Sequence, residues 1–272
     1  MTPPTTGSSW PSTSASDGAG GLTVPGVWRI VDGRAGALRV YESLTVSSAT
    51  APTLLLCHEL PRDPGGGAAA ARAYPALGDR LAEECSCRVV AGMLRGTGGS
   101  DGEFSANGWL DDVAAICKAQ SQSARGLWLV DFGLGAAIAL RAAVNDERVR
   151  GVASIAGPAD LSGWISSREK VLARCRHSGV IKSETFPRDP DAWAAELVAL
   201  APLDAAAHLG GRPLLVVHGS DDAEVPAAAA RALADAAVGS PVDLRIVPAA
   251  GHWLRADPRV VATLVGWLER QS

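Results

Sequence analysis

Three short segments hold the residues of this chain that could do chemistry. The first, Leu127-Trp128-Leu129-Val130-Asp131-Phe132-Gly133-Leu134-Gly135-Ala136-Ala137-Ile138, reads as a buried strand, a sharp turn and a helix. The second, Val217-His218-Gly219-Ser220-Asp221-Asp222-Ala223-Glu224-Val225-Pro226, is a strand end followed by an acidic loop. The third, Ala249-Ala250-Gly251-His252, again follows an apolar run. Carboxylates and an imidazole are the parts of a general acid–base system, and histidine is the side chain best suited to move protons near neutral pH. At the turn of the first segment stands Gly133, which has no side chain with which to attack anything.

Those loops can meet only if the elements before them lie side by side. Val24 to Ile30 and Ala37 to Val46 predict two strands joined around Asp32-Gly33. Thr53 to Cys57, Arg88 to Met93, Leu127 to Val130, Val149 to Ile155, Leu214 to Val217 and Asp243 to Val247 are further strands. Several are apolar throughout, as strands covered on both faces should be. Helices are expected over Ala68 to Glu84, with Pro75 interrupting the pattern, and over Trp109 to Gln122, with Asn107 as its cap. Others are expected over Leu134 to Val144, Pro226 to Ala237 and Arg259 to Glu269. Strands alternating with helices at this spacing imply a mostly parallel, doubly wound α/β sheet. In such a sheet the loops at the carboxyl ends of the strands converge on one edge, where ligands bind.

Residues 161–211 break the rhythm. Trp164 to His177 and Asp191 to Leu200 look like short helices inserted between two strands. Residues 1–22, rich in Ser, Thr, Pro and Gly, read as a disordered tail with neither the positive nor the apolar region of a signal peptide. Residues 23–272 then form one domain.

Composition narrows the function classes. A net charge of −4 with no Lys/Arg block gives no reason to expect a nucleic-acid partner. No apolar run reaches membrane-spanning length. The five cysteines, an odd number without a secretory signal, suggest reduced thiols and a cytoplasmic location. Cys85-Ser86-Cys87 offers two ligands where structural zinc takes four. Cys175 and His177 lack partners in sequence and read as surface residues, and Cys57 as a small core residue. Gly65-Gly66-Gly67 opens no dinucleotide-binding pattern, so no cofactor is expected.

From about residue 24 onward the chain resembles the α/β-hydrolase superfamily. The resemblance rests on the strand–turn–helix around Gly133, on Arg95-Gly96-Thr97-Gly98-Gly99-Ser100-Asp101-Gly102, on the Asp222 loop and on Gly251-His252. It implies an α/β-hydrolase fold with a small helical lid at 161–211. It also implies that Asp222, three residues before the valine of Val-Pro, orients His252. Arg95 and Ser100 would fix the loop after the fourth strand, and Trp164, Phe186 and Trp193 would form either the lid's apolar underside or its own small core. The family's oxyanion hole would use the backbone N–H of Leu134 and one from Glu59 or Leu60, with His58 either in the pocket wall or packed within its loop.

The departures from that pattern matter more. Gly133 stands where the family has its nucleophilic serine, and Asp131 where it has the first glycine of G-x-S-x-G. Removing such a serine typically loses on the order of 10⁶ in turnover. Glu59 adds negative charge beside a site that would have to stabilise a developing oxyanion. Asp131-Phe132-Gly133 resembles the elbow of haloalkane-dehalogenase-like relatives, in which the aspartate attacks. The helix register favours a tip at Gly133, because Ile138 and Leu140 then fall on the buried face. Three functions are consistent with these residues. One is a catalytically silent protein binding a small apolar or acyl ligand, or a partner. The second is a hydrolase of a small ester-like substrate in which Asp222 and His252 activate water. The third is dehalogenase-like chemistry with Asp131 as nucleophile.

Overall fold

The computed structural model describes residues 26–43, 51–85, 87–121 and 126–271. The expected tail at 1–22 and the outer ends of the two opening strands lie outside the described residues. The described chain begins with an antiparallel hairpin, β1 (Val27–Gly33) and β2 (Gly36–Ser43). There follow β3 (Thr53–Leu56), α1 (Gly66–Cys85), β4 (Arg88–Gly92), α2 (Ala106–Ala119), β5 (Leu127–Phe132), α3 (Leu134–Asn145) and β6 (Val149–Ile155). After the insertion come β7 (Leu214–Gly219), α8 (Ala228–Ala236), β8 (Val242–Val247) and α9 (Pro258–Glu269). These strands form one sheet in the order β1-β2-β4-β3-β5-β6-β7-β8, parallel from β4 to β8.

Alternation along the strands divides the core in two. Leu127 and Leu129 point to the face that holds Trp109, Ile138 and Leu140, while Trp128 and Val130 point to the face that holds Tyr74, Leu81 and Trp267. Each β5 side chain is therefore buried whichever way it points, which is why the segment is apolar throughout.

Three local expectations change. Helix α1 runs unbroken through Pro75. A proline inside a helix costs ~3 kcal/mol, but Tyr74, Leu77 and Leu81 are all buried from this helix, and burying each such side chain contributes roughly 1.5–3 kcal/mol. Helix α2 starts earlier than expected and is capped by Ser105, whose Oγ accepts from the Gly108 N–H at 3.0 Å. Asn107 lies inside the helix, and its N–H donates to Glu196 at 3.0 Å. The insertion holds four helices rather than two: α4 (Ser162–Ser166), α5 (Arg168–Ser178), α6 (Pro190–Ala199) and α7 (Pro202–Ala207).

The loop after β4 is fixed from two sides. Ser100 Oγ donates to the Met93 carbonyl at 2.7 Å and accepts from the Arg39 N–H at 2.8 Å. Arg95 grips the fully buried carboxylate of Asp112 through Nη2 at 2.6 Å and Nε at 3.0 Å. Among the described residues no helix is long and apolar enough to cross a membrane.

Candidate active site

The turn between β5 and α3 is the centre of the site. Gly133 has φ 53° and ψ −127°, a region closed to most residues with a Cβ and open to glycine. Its N–H donates to the Ile155 carbonyl at 2.9 Å, which ties the turn to the next strand. A Cβ placed on Gly133 would lie 3.4 Å from His252 Nε2, 3.2 Å from Glu59 Cβ and 3.8 Å from Glu59 Oε2. The tip of the turn thus faces both a histidine and a carboxylate.

His252 reaches this point from the loop after β8. That loop turns through Ala249, whose φ of 53° is rare for a residue with a Cβ. Two bonds hold it to the loop after β7. Ser220 Oγ accepts from the Ala249 N–H at 2.9 Å, and the Asp221 N–H donates to the Ala250 carbonyl at 2.9 Å. Asp221 is exposed and bound to Ser220, whereas the Asp222 side chain points inward.

His252 Nδ1 lies 2.8 Å from Asp222 Oδ2. A carboxylate accepts, so Nδ1 carries the proton and Nε2 presents its lone pair toward Gly133. Asp222 Oδ1 accepts from the N–H groups of Glu224 and Val225, each at 2.9 Å. Burial pushes the Asp222 carboxyl up, but the Val225 N–H, the His252 bond and the Glu224 N–H together hold it below its usual range. Behind it, the buried His218 places Nε2 3.0 Å from Asp222 Oδ2 and 2.9 Å from the Val225 carbonyl. Nothing in the sequence separated His218 from the rest of β7.

The loop after β3 departs from expectation. Glu59 turns its side chain into the site, where Oε1 accepts from Arg255 Nη1 at 2.7 Å. Burial pushes its carboxyl above the ordinary value, and Arg255 and His252 offset only part of this. The Glu59 N–H donates to Tyr74 Oη at 3.1 Å, so of the two expected donors in this loop that one is already engaged; Leu60 lines the cavity. Leu134 opens α3, and the first N–H of a helix has no acceptor within it. His58 is not in the pocket wall. It is fully buried, and its Nε2 accepts from the Leu94 N–H at 3.1 Å and meets Thr97 Oγ1 at 2.8 Å. Burial pushes its pKa down to about 4, so the ring is neutral.

Asp131 sits behind the turn, away from the cavity. It is 1% exposed, its Oδ1 accepts from the Phe132 N–H at 2.9 Å, and it pairs with the Cys57 thiol. A nucleophile must reach substrate, and this carboxyl does not. Burial pushes it well above the ordinary carboxylate value.

Over Gly133 lies a cavity of about 340 Å³, within the range that holds a small molecule. Its floor comes from the strand ends, through Glu59, Leu60, Leu134, Pro158, Val225 and His252. Its roof comes from the insertion, through Trp164 of α4 and Val171 and Arg174 of α5. Phe186 and Trp193 do not line it. Phe186 packs against the core, and Trp193 is buried beside Phe104 with its Nε1–H donating to the Phe104 carbonyl at 3.0 Å. Cys175 is buried rather than on the surface, while His177, two residues on, is exposed, so the two do not converge on one ligand.

An eight-stranded sheet in this order, with the His252 and Gly133 loops at the carboxyl ends of its parallel strands, defines the α/β-hydrolase fold. Residues 134–272, just over half of the chain, match the prolyl oligopeptidase family, and the chain belongs to it. A comparison with curated protein sequences finds no significant match. Among solved structures, a thermophilic esterase from Thermogutta terrifontis is 21% identical with a TM-score of 0.65, covering 90% of this chain and 98% of its own. Est1E from Butyrivibrio proteoclasticus is 14% identical with a TM-score of 0.68 over 90% and 98% of the two chains. The acylaminoacyl peptidase of Pyrococcus horikoshii is 13% identical with a TM-score of 0.62, and the match covers 90% of this chain and 41% of that one. These likenesses concern the fold.

Proposed function

We propose that this chain is a hydrolase-fold protein without serine-hydrolase turnover, whose cavity binds a small ligand with an apolar or acyl portion. One observation carries the reading. Gly133 holds the sharp turn, at φ 53° and ψ −127°, and faces His252 Nε2, yet bears no nucleophile. The surrounding pair, Asp222 and His252, is geometrically competent to take a proton, but no hydroxyl stands between it and a substrate carbonyl. The insertion acts as a lid over this cavity. The odd number of cysteines, five in the sequence, favours a cytosolic location.

The reading is tested by hydrolysis of short-chain p-nitrophenyl esters. Wild type should be inert, Gly133→Ser should turn over, and Gly133→Ser with His252→Ala should be dead. Wild-type turnover equal to that of the serine variant would sink it.

A second reading is favoured by His252 Nε2, which lies 3.4 Å from where a Cβ on Gly133 would stand, at the wall of the cavity. Nε2 takes a proton from a water molecule there, the hydroxide adds to an ester carbonyl, and the tetrahedral adduct then breaks its C–O bond to expel the alcohol, which leaves with the proton returned by His252. Wild-type turnover that is lost in His252→Ala and untouched by serine-directed fluorophosphonates would select it.

A further inference from the structure

The roof of the cavity carries a cation that its neighbours do not fully match. Arg174 and Val171 lie three residues apart on α5 and so share the face turned to the cavity. Arg174 Nη2 donates to the Leu60 carbonyl at 3.0 Å, and its Nε is buried without a hydrogen-bond partner. The nearest carboxylate, Glu224, lies 3.9 Å from Nη1 and is already in close contact with Arg62. One carboxylate therefore serves two guanidiniums. Glu59, the other acid on the cavity, is matched by Arg255 at 2.7 Å. Burial and the neighbouring Arg62 both work against the charge on Arg174. A cation held this way gains most from an incoming anion, and a guanidinium fits a carboxylate in two parallel bonds.

We propose that Arg174 selects ligands bearing a carboxylate, with the apolar remainder of the ligand lying along Leu60, Leu134 and Val171 toward Gly133. This deepens the binding reading above and rests on it. The class is a small carboxylic acid with an apolar arm, the half-ester of a dicarboxylic acid included.

The test is calorimetric titration of the full chain with 4-phenylbutyrate and with its neutral amide. Wild type should bind the acid at least tenfold more tightly. Arg174→Met should abolish the preference, and Glu224→Gln, which frees Arg174 of its shared partner, should tighten acid binding severalfold. Equal binding of acid and amide by wild type overturns the assignment and leaves the binding reading standing. So does a preference that survives Arg174→Met, or acid binding weakened by Glu224→Gln. Failure of both probes to bind overturns the two together. Ester turnover by wild type that still binds the acid preferentially overturns only the silent-site reading.

Discussion

His252 Nε2 stands 3.4 Å from the point at which a side chain on Gly133 would begin. That distance puts a hydroxyl on this Cβ within hydrogen-bonding reach of the imidazole. It also limits what can be added there, since Glu59 Cβ is 3.2 Å from the same point.

Gly133→Ala should lower stability by about 1–3 kcal/mol, because φ 53° and ψ −127° are strained for any residue with a Cβ. Urea denaturation measures this. A loss below about 0.5 kcal/mol, the range of an inert surface change, would mean that the turn relaxes and that glycine is not required by the backbone.

Asp131→Asn should fold normally and gain stability relative to wild type as pH rises. Burial raises the folded-state pKa of Asp131 above its unfolded value. Its contribution is then fully present below the unfolded pKa and is lost as pH climbs through the raised one. Asparagine has no such dependence. Parallel stability curves for the two proteins from acid to alkaline pH would contradict the assignment. The same variant should leave any halide release unchanged, since this carboxyl does not face the cavity.

Acid should weaken the fold through His58. Its folded pKa is about 4 against an ordinary 6.5, so the unfolded chain binds the proton first as pH falls. Stability present above pH 6.5 is lost on the way down to about 4, by about 3 kcal/mol at most. His58→Gln should flatten that slope. An unchanged slope would assign the acid sensitivity elsewhere.

Asp112→Asn should cost about 3–5 kcal/mol, the usual penalty for breaking a buried pair and leaving one charge unmatched. Arg95 is only 11% exposed at its side chain and Asp112 not at all. Thermal and chemical denaturation should agree on the loss, and a near-neutral result would show that water reaches Arg95.

Much of the scaffold was legible in the chain. The central strands are apolar on both faces, so runs such as Leu127 to Val130 announce a covered parallel sheet. The turn at Gly133, the acidic loop and Gly251-His252 follow strands, so the sheet edge that would hold them was readable too. Asn107 and Pro75 misled because caps and helix breaks are decided by a hydroxyl one or two residues away and by burial on a distant sheet.

The sequence by itself determined that a strand–turn–helix ends in glycine and that an acid and a histidine follow in order, because those are facts of residue type and local periodicity. Only the tertiary structure decided what surrounds that glycine. Glu59 faces it, Asp131 turns away from it, His58 is buried behind its loop and Arg174 hangs over it. Each of those outcomes depends on contacts between segments far apart in the chain. A side chain's direction is set by what packs against it, and no local pattern records that.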